Sequence, residues 1–315
     1  MRINSEKTEW VPIGRGVRQG CVLSPDIFSL YSQKLMEKIE ELEGVRVGGR
    51  NVNCIRYADD TVLIADSNEK LQELTTALDV ACERRGLIIN IGKTEVMGIT
   101  KRRERLDVEI SLHDRRVKQV SNFKYLGCTI GEGANSEKEV IKRIAVAKTA
   151  FTSLQAVLKN LSIGIETRVR MMRCYVWSTL MYGCEAWTIR KYLERRLEAA
   201  EMWFYRRMMR IPWTARVTNV EVLRRAGVER CLMKKIRRRQ LKFLGHIVRA
   251  QELESNSLLG KIDGTRARGR QRTKYMDSIL SYVGGGQTTA GLLRMARDRE
   301  DGRSMVDTVT RRSAR

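Results

Sequence analysis

Apolar residues recur three and four apart at Ile27, Tyr31, Leu35, Ile39 and Leu42, which predicts an amphipathic helix ending near Gly44. Ser24 is placed as its N-cap and Pro25 at its first turn, with Asp26 where the helix dipole favours negative charge. The period then drops to two. "VRVGGRNVNC", residues 45–54, reads as strand, Gly-Gly turn, strand, and "CIRY" and "TVLIA" as two more short strands meeting at Ala58-Asp59-Asp60. A second helix starts at Ser67, carries Leu71, Leu74, Leu78 and Ala81, and stops at Gly86. "LIINI" and "EVMGI" predict strands flanking Gly92-Lys93-Thr94, and "FKYLGCTIG" predicts a strand pair around a glycine turn. Up to about residue 133 this order gives an α+β fold with a largely antiparallel sheet.

Beyond that point the pattern is helical. Ser136 and Glu139 have capping-box spacing ahead of Ile141, Ile144, Phe151, Leu154, Leu158 and Leu161. A second run holds Val169, Met172, Val176 and Leu180; a third holds Leu193, Leu197, Ala200, Phe204 and Met208, with Pro212 just after it. Thr218 and Glu221 repeat the box, and "ERCLMKKIRRRQLKFLGHIV" keeps Leu232, Ile236, Phe243 and Ile247 on one side. "GTRARGRQRTK" is Gly- and Arg-rich and is expected to be mobile. The implied division is 1–133, 134–250 and a basic, partly mobile extension at 251–315.

Charge sharpens the division. The net charge is +23, yet residues 1–100 hold 13 Lys and Arg against 15 Asp and Glu, whereas residues 151–315 hold 35 against 15. Such an excess implies a polyanionic partner, nucleic acid before a membrane surface. No window approaches the roughly 20 apolar residues of a membrane span, and the N-terminus has no signal-peptide core. Seven scattered cysteines without a C-x-x-C pair, and two histidines, make no zinc framework. The cysteines are expected to be reduced and mostly buried, and the protein nuclear or cytoplasmic and not secreted.

The adjacent carboxylates of Asp59 and Asp60 have two readings. Aspartate is common in turns because it bonds its own backbone, and on the pair alone this reading is favoured. Alternatively, the pair holds a hard divalent cation beside nucleotide phosphates.

Ordered motifs around the pair change the balance. "GVRQGCVLSPDIF" (16–28), "YADD" (57–60), "GLIINIGKTE" (86–95) and "FKYLG" (123–127) together resemble the reverse transcriptases of LINE-like, non-LTR retrotransposons. The resemblance implies a partial palm at 1–133, a helical thumb-like region at 134–250, and an RNA-directed DNA polymerase using two Mg²⁺ ions, deoxynucleotides, a DNA primer and an RNA template. Carried over by position, Asp59 is the metal-binding aspartate and Asp60 its neighbour. Lys93 is the candidate for neutralising the leaving pyrophosphate. Arg18, Gln19 and Gly20 face the nucleotide or template, Tyr57 and Ala58 shape the catalytic hairpin, and Phe123, Tyr125, Leu126 and Gly127 form the primer grip.

The family's palm begins with an upstream strand bearing a further metal-binding aspartate, and the 15 residues before Gly16 contain none. Polymerase activity is therefore not expected of this chain alone, an upstream palm, fingers and endonuclease portion of a longer polyprotein being the implied partner. The alternative is a catalytically dead, non-specific nucleic-acid-binding remnant. An intron-type maturase ranks lower because the tail lacks that class's Cys/His content. The binding surface is placed on Lys234, Lys235, Arg237, Arg238, Arg239 and Lys242, where i, i+4 acids are lacking, and on Arg266, Arg268, Arg270 and Arg272. Trp177, Trp187, Trp203 and Trp213 are read as packing residues, and His246 as a packed or surface histidine.

Overall fold

The computed structural model describes residues 16–100, 106–133, 136–260, 274–284 and 286–312, with the paired two-residue strands Arg2–Ile3 and Glu6–Lys7. The chain divides into two units: Met1–Val96 with Asp107–Gln119, and Met97–Leu106 with Val120–Arg315. Among the described residues, no helix is long and apolar enough to cross a membrane.

The first unit sets the helices Ser24–Glu40 and Asn68–Glu83 beside short hairpins. Val45–Val47 pairs with Arg50–Val52 across Gly48 and Gly49, both at positive φ, as a tight turn of this kind requires. Cys54–Tyr57 pairs with Asp60–Leu63, and Ser111–Leu112 with Arg115–Arg116. One small core joins Met36, Ile39 and Leu74 to Leu42, Cys54 and Leu63, and another gathers Val96, Val108, Ile110, Leu112 and Val117.

Several local expectations change here. Among the described residues every sheet has only two strands, so the expected continuous antiparallel sheet is a set of separate pairs. "LIINI" forms no strand, because the Asn90 side chain and carbonyl take up the Lys93 N–H and turn the chain. "EVMGI" contracts to Glu95–Val96, which pairs in parallel with Lys118–Gln119. In the first helix the buried stripe is Ser32, Leu35, Met36 and Ile39, leaving Ile27 and Tyr31 exposed. Ser24 does not cap it: its hydroxyl donates to the Arg18 carbonyl at 2.7 Å. Ser67 does cap the second helix, accepting from the Lys70 N–H.

The second unit opens with the hairpin Asn122–Tyr125 and Cys128–Gly131, followed by helices. Its larger core buries Phe151, Leu158, Trp177, Leu197, Phe204, Tyr205 and Met208. The runs Val169–Met172–Val176–Leu180 and Leu193–Leu197–Ala200–Phe204–Met208 are all buried, as their periodicity predicts. The first of these widens into a π-helix over Met172–Val176. Thr218 caps its helix by accepting from the Glu221 N–H, but Ser136 instead accepts from the Thr188 N–H at 2.9 Å. On Glu137–Ser153 the buried face is Glu139, Val140, Arg143, Ala147 and Phe151, so Ile141 is exposed.

The basic helix Leu232–Ala250 buries Leu232, Ile236 and Ile247, while Phe243 stays at the surface. Its Leu241, Leu244 and Val248 build a second core with the helices Tyr275–Val283, Thr289–Arg297 and Arg299–Arg312, none of which the apolar spacing had announced. Trp177 and Trp187 are buried and Trp203 packs on the core, whereas Trp213 is exposed. All seven cysteines are free thiols, but only Cys82 and Cys184 are buried, a correction to the expected burial; Cys21 and Cys174 are exposed.

Candidate active site

The hairpin at residues 54–63 is fixed from its inward face. Cys54 and Leu63 pack on Met36, Ile39 and Leu74, and burial pushes the Cys54 thiol up. At its base the buried Asn53 amide donates to the Ile39 and Leu42 carbonyls at 2.6 and 2.7 Å, tying the strand to the end of the first helix. Gly44 makes this approach possible, since a Cβ there would lie 2.4 Å from the Val52 carbonyl oxygen. Side chains alternate along a strand, so Ile55, Tyr57, Asp60 and Val62 occupy the opposite face, where Ile55 and Tyr57 are exposed.

Tyr57 pairs with Asp60, leaving a two-residue turn of Ala58 and Asp59. Ala58 adopts φ 53°, a conformation that disfavours any residue with a Cβ and that gathers at functional sites. Both aspartates are exposed, and neither carboxylate has an ion pair or hydrogen bond among the described residues. Two like charges are thus held side by side with no protein cation between them. Nearby on the inward face, Nη1 of Arg56 is buried without a hydrogen-bond partner among the described residues.

The other motif residues fall in three places. Arg18, Gln19 and Gly20 are exposed in the turn leading into Ser24–Glu40, and Gly20 has φ 85°. In that turn the Leu23 N–H lowers the Cys21 thiol pKa. Lys93 is exposed in the turn closed by Asn90. Phe123, Tyr125, Leu126 and Gly127 lie on the first hairpin of the second unit, whose turn has φ 46° at Leu126 and 77° at Gly127.

That turn is held by a network the sequence did not announce. Arg143 donates to the Gly127 carbonyl and to Glu139, each at 2.6 Å, and its guanidinium lies 4.4 Å from the Tyr182 ring centre. The Tyr182 hydroxyl donates to the Leu126 carbonyl at 2.8 Å, and Glu139 accepts from the Thr129 N–H at 2.8 Å. Burial alone would raise the Glu139 pKa, but the bonds from Arg143 and Thr129 outweigh it and hold the carboxyl below its ordinary value. The i, i+4 spacing of Glu139 and Arg143 was the available signal; it competed with the capping-box reading of the same glutamate.

The basic helix is less bare than its sequence implies. Arg237 pairs with Glu194, Arg239 lies 3.6 Å from Glu185, Lys234 lies 3.3 Å from Glu229, and Lys235 sits over Trp177. The acids missing at i, i+4 are supplied largely from other elements. Arg238 and Lys242 are exposed and make no ion pair among the described residues. Arg266, Arg268, Arg270 and Arg272 lie outside the described residues.

Residues 1–130, which contain the hairpin, match the profile of the Reverse transcriptase (RNA-dependent DNA polymerase) family. This part of the chain is reverse-transcriptase sequence. It is LINE-like in kind: the chain is 26% identical over 234 residues to the RNA-directed DNA polymerase from mobile element jockey of Drosophila melanogaster, covering 70% of this chain and 24% of that protein. It is 24% identical over 136 residues to the Pol polyprotein of the type-1 retrotransposable element R2 of Nasonia vitripennis, covering 40% of this chain and 13% of the relative. A transposon-derived protein of Caenorhabditis elegans is 28% identical over 251 residues, covering 76% of this chain and 88% of its own length. The chain thus spans most of the Caenorhabditis elegans relative and a minor part of the jockey and R2 proteins. By family, the reverse-transcriptase segment belongs to the nucleotidyltransferases.

Proposed function

We propose that this chain contributes the catalytic hairpin, primer-side hairpin and thumb-like helices of an RNA-directed DNA polymerase. Residues 1–133 are read as the partial palm, 134–250 as the thumb-like region and 251–315 as a basic extension. The observation that carries the reading is the exposed Asp59–Asp60 pair, held unneutralised at a strained turn inside a segment of reverse-transcriptase sequence.

The donor set fits a divalent ion of the family. Magnesium is commonly held by one or two carboxylates together with substrate phosphates, and Asp59 and Asp60 supply two carboxylates open to solvent. When bound, such ions activate the primer 3′-hydroxyl and stabilise charge on the departing pyrophosphate. The protein's own part is positioning. Tyr57 and Asp60 share the exposed face of the hairpin, Ala58 fixes the bend, and the Cys54–Leu63 face anchors it to the unit. Gln19 and Gly20 are assigned to the nucleotide and template, and Lys93 to the phosphate charge. Phe123, Tyr125, Leu126 and Gly127 hold the primer, with the Arg143–Glu139 pair stiffening their turn.

One observation favours the binding-remnant reading. Among the described residues no third metal-ligating side chain gathers with Asp59 and Asp60. Extension of a primer on an RNA template, with and without Asp59→Ala, separates the two. Loss of extension supports the polymerase assignment; nucleic-acid binding with no extension in any longer chain supports the remnant.

A further inference from the structure

Among the described residues, a group apart from the aspartate hairpin brings three metal-ligating side chains together: Asp79, Glu83 and His113. Asp79 and Glu83 stand one turn apart on the Asn68–Glu83 helix, so their side chains share a face. His113 approaches from the tip of the Ser111–Arg116 hairpin, where His113 and Asp114 have φ 48° and 57°. Its Nε2 lies 2.9 Å from Asp79 Oδ2 and 3.2 Å from Glu83 Oε1.

We propose that Asp79, Glu83 and His113 form a site for a single divalent transition ion of the zinc class, separate from Asp59 and Asp60. An imidazole Nε2 carries at most one proton, so its single N–H can only be shared between the two carboxylates, at poorer angles than a full bond to either. Two carboxylates nevertheless converge on that single nitrogen. A cation at the centre satisfies all three donors together. Tetrahedral zinc with bonds of about 2.0–2.1 Å sets neighbouring ligand atoms roughly 3.3 Å apart, and the 2.9 and 3.2 Å separations lie at or a little below this value.

A second observation points the same way. The Asp79 side chain is only 14% exposed, and its Oδ1 is buried with no hydrogen-bond partner among the described residues. A buried carboxylate oxygen left without a donor is costly unless a cation lies beside it. The imidazole nitrogen selects a borderline metal over Mg²⁺, which prefers oxygen donors in an octahedron. Three protein ligands leave a fourth position for water. The ion would tie the second helix to the hairpin at 111–116, and Gln72 already joins these elements through the Ser111 N–H at 2.8 Å and carbonyl at 3.0 Å.

The test is titration of the purified chain with zinc chloride against a chromophoric chelator, in excess Mg²⁺, with cobalt(II) absorption as a second readout. The expected result is one zinc bound per chain, not displaced by Mg²⁺, and an intense four-coordinate cobalt spectrum. His113→Gln and Asp79→Asn should each weaken zinc by on the order of 100-fold or more. Asp59→Asn should not change it, which keeps this site's test independent of the polymerase assignment. Absence of zinc binding to the unaltered chain, full displacement by Mg²⁺, or unchanged affinity in folded His113→Gln protein would each overturn the proposal, leaving His113 as an ordinary ion-pair partner. The unaltered chain's cobalt spectrum decides the matter if the variants fail to fold.

Discussion

Arg143 and Gly127, 16 residues apart in sequence, are joined by a 2.6 Å hydrogen bond from the guanidinium to the backbone carbonyl of the hairpin turn. The same guanidinium is paired with Glu139, and the two side chains are only 11% and 5% exposed. A hairpin assigned to the primer is therefore fixed by a buried charge pair, not by its own turn residues alone.

Removing one partner of that pair leaves the other charge buried. Arg143→Ala should destabilise the second unit by about 3 kcal/mol in urea unfolding. The Glu139 carboxyl is held below its ordinary value, so its contribution is full above the unfolded carboxyl range and is lost as pH falls through the lowered folded value. Stability measured toward acid should fall in that window in the native chain, and less steeply in Glu139→Gln. A flat response in the native chain would contradict the assignment.

The thiols differ in reactivity for local reasons. Cys21 is exposed and its pKa is lowered by the Leu23 N–H, whereas burial raises Cys184 to about 12. At a pH near neutrality, iodoacetamide should label Cys21 first and Cys184 last in the folded chain, read by peptide mass mapping. Equal rates for the two would contradict the structure at that turn.

Ala58 sits at a positive φ that glycine adopts without strain. Ala58→Gly should therefore stabilise the first unit, or leave it unchanged, by on the order of 1 kcal/mol at most, while Ala58→Val should destabilise it. In thermal melts Ala58→Gly should melt at or above the native chain and Ala58→Val below it; a Val variant as stable as the Gly variant would contradict the turn described.

On the basic helix, exposure separates residues that sequence treats alike. Arg238→Gln and Lys242→Gln should each reduce the salt dependence of nucleic-acid binding by about one unit of slope, leaving the fold intact. Arg237→Gln should act mainly on stability, because Arg237 packs over Tyr282 and pairs with Glu194. Binding measured at several salt concentrations, beside melting curves, distinguishes the two effects.

Local chemistry made the hairpins legible. The glycines at 48–49 and 127 and the alternation around Asp59 announced their turns, and single-face apolar runs announced Val169–Leu180 and Leu193–Met208. What stayed hidden depended on partners distant in sequence. Glu95–Val96 pairs with Lys118–Gln119, and Glu194 and Glu185 neutralise Arg237 and Arg239. The helices after residue 274 present their apolar residues to Leu241, Leu244 and Val248, a face that the surrounding Arg and Gly residues obscured. At the candidate site, the flanking alternation made the Asp59–Asp60 hairpin readable as a turn, and only the resemblance of the ordered motifs gave it a catalytic reading. The Asn53 and Gly44 anchor was not, since neither residue type announces a role without its neighbours. His113 was likewise invisible as a ligand until the fold brought it to Asp79 and Glu83.

The most direct test of the central claim is Mg²⁺-dependent primer extension on an RNA template by this chain, alone and joined to the upstream palm and fingers of a polymerase such as that of jockey, each with and without Asp59→Ala. The joined chain should extend the primer, and Asp59→Ala should reduce the rate by roughly 1,000-fold or more with an unchanged melting curve, because the Asp59 carboxylate has no partner among the described residues. Extension that proceeds undiminished through Asp59→Ala would contradict the assignment of this hairpin as the catalytic one.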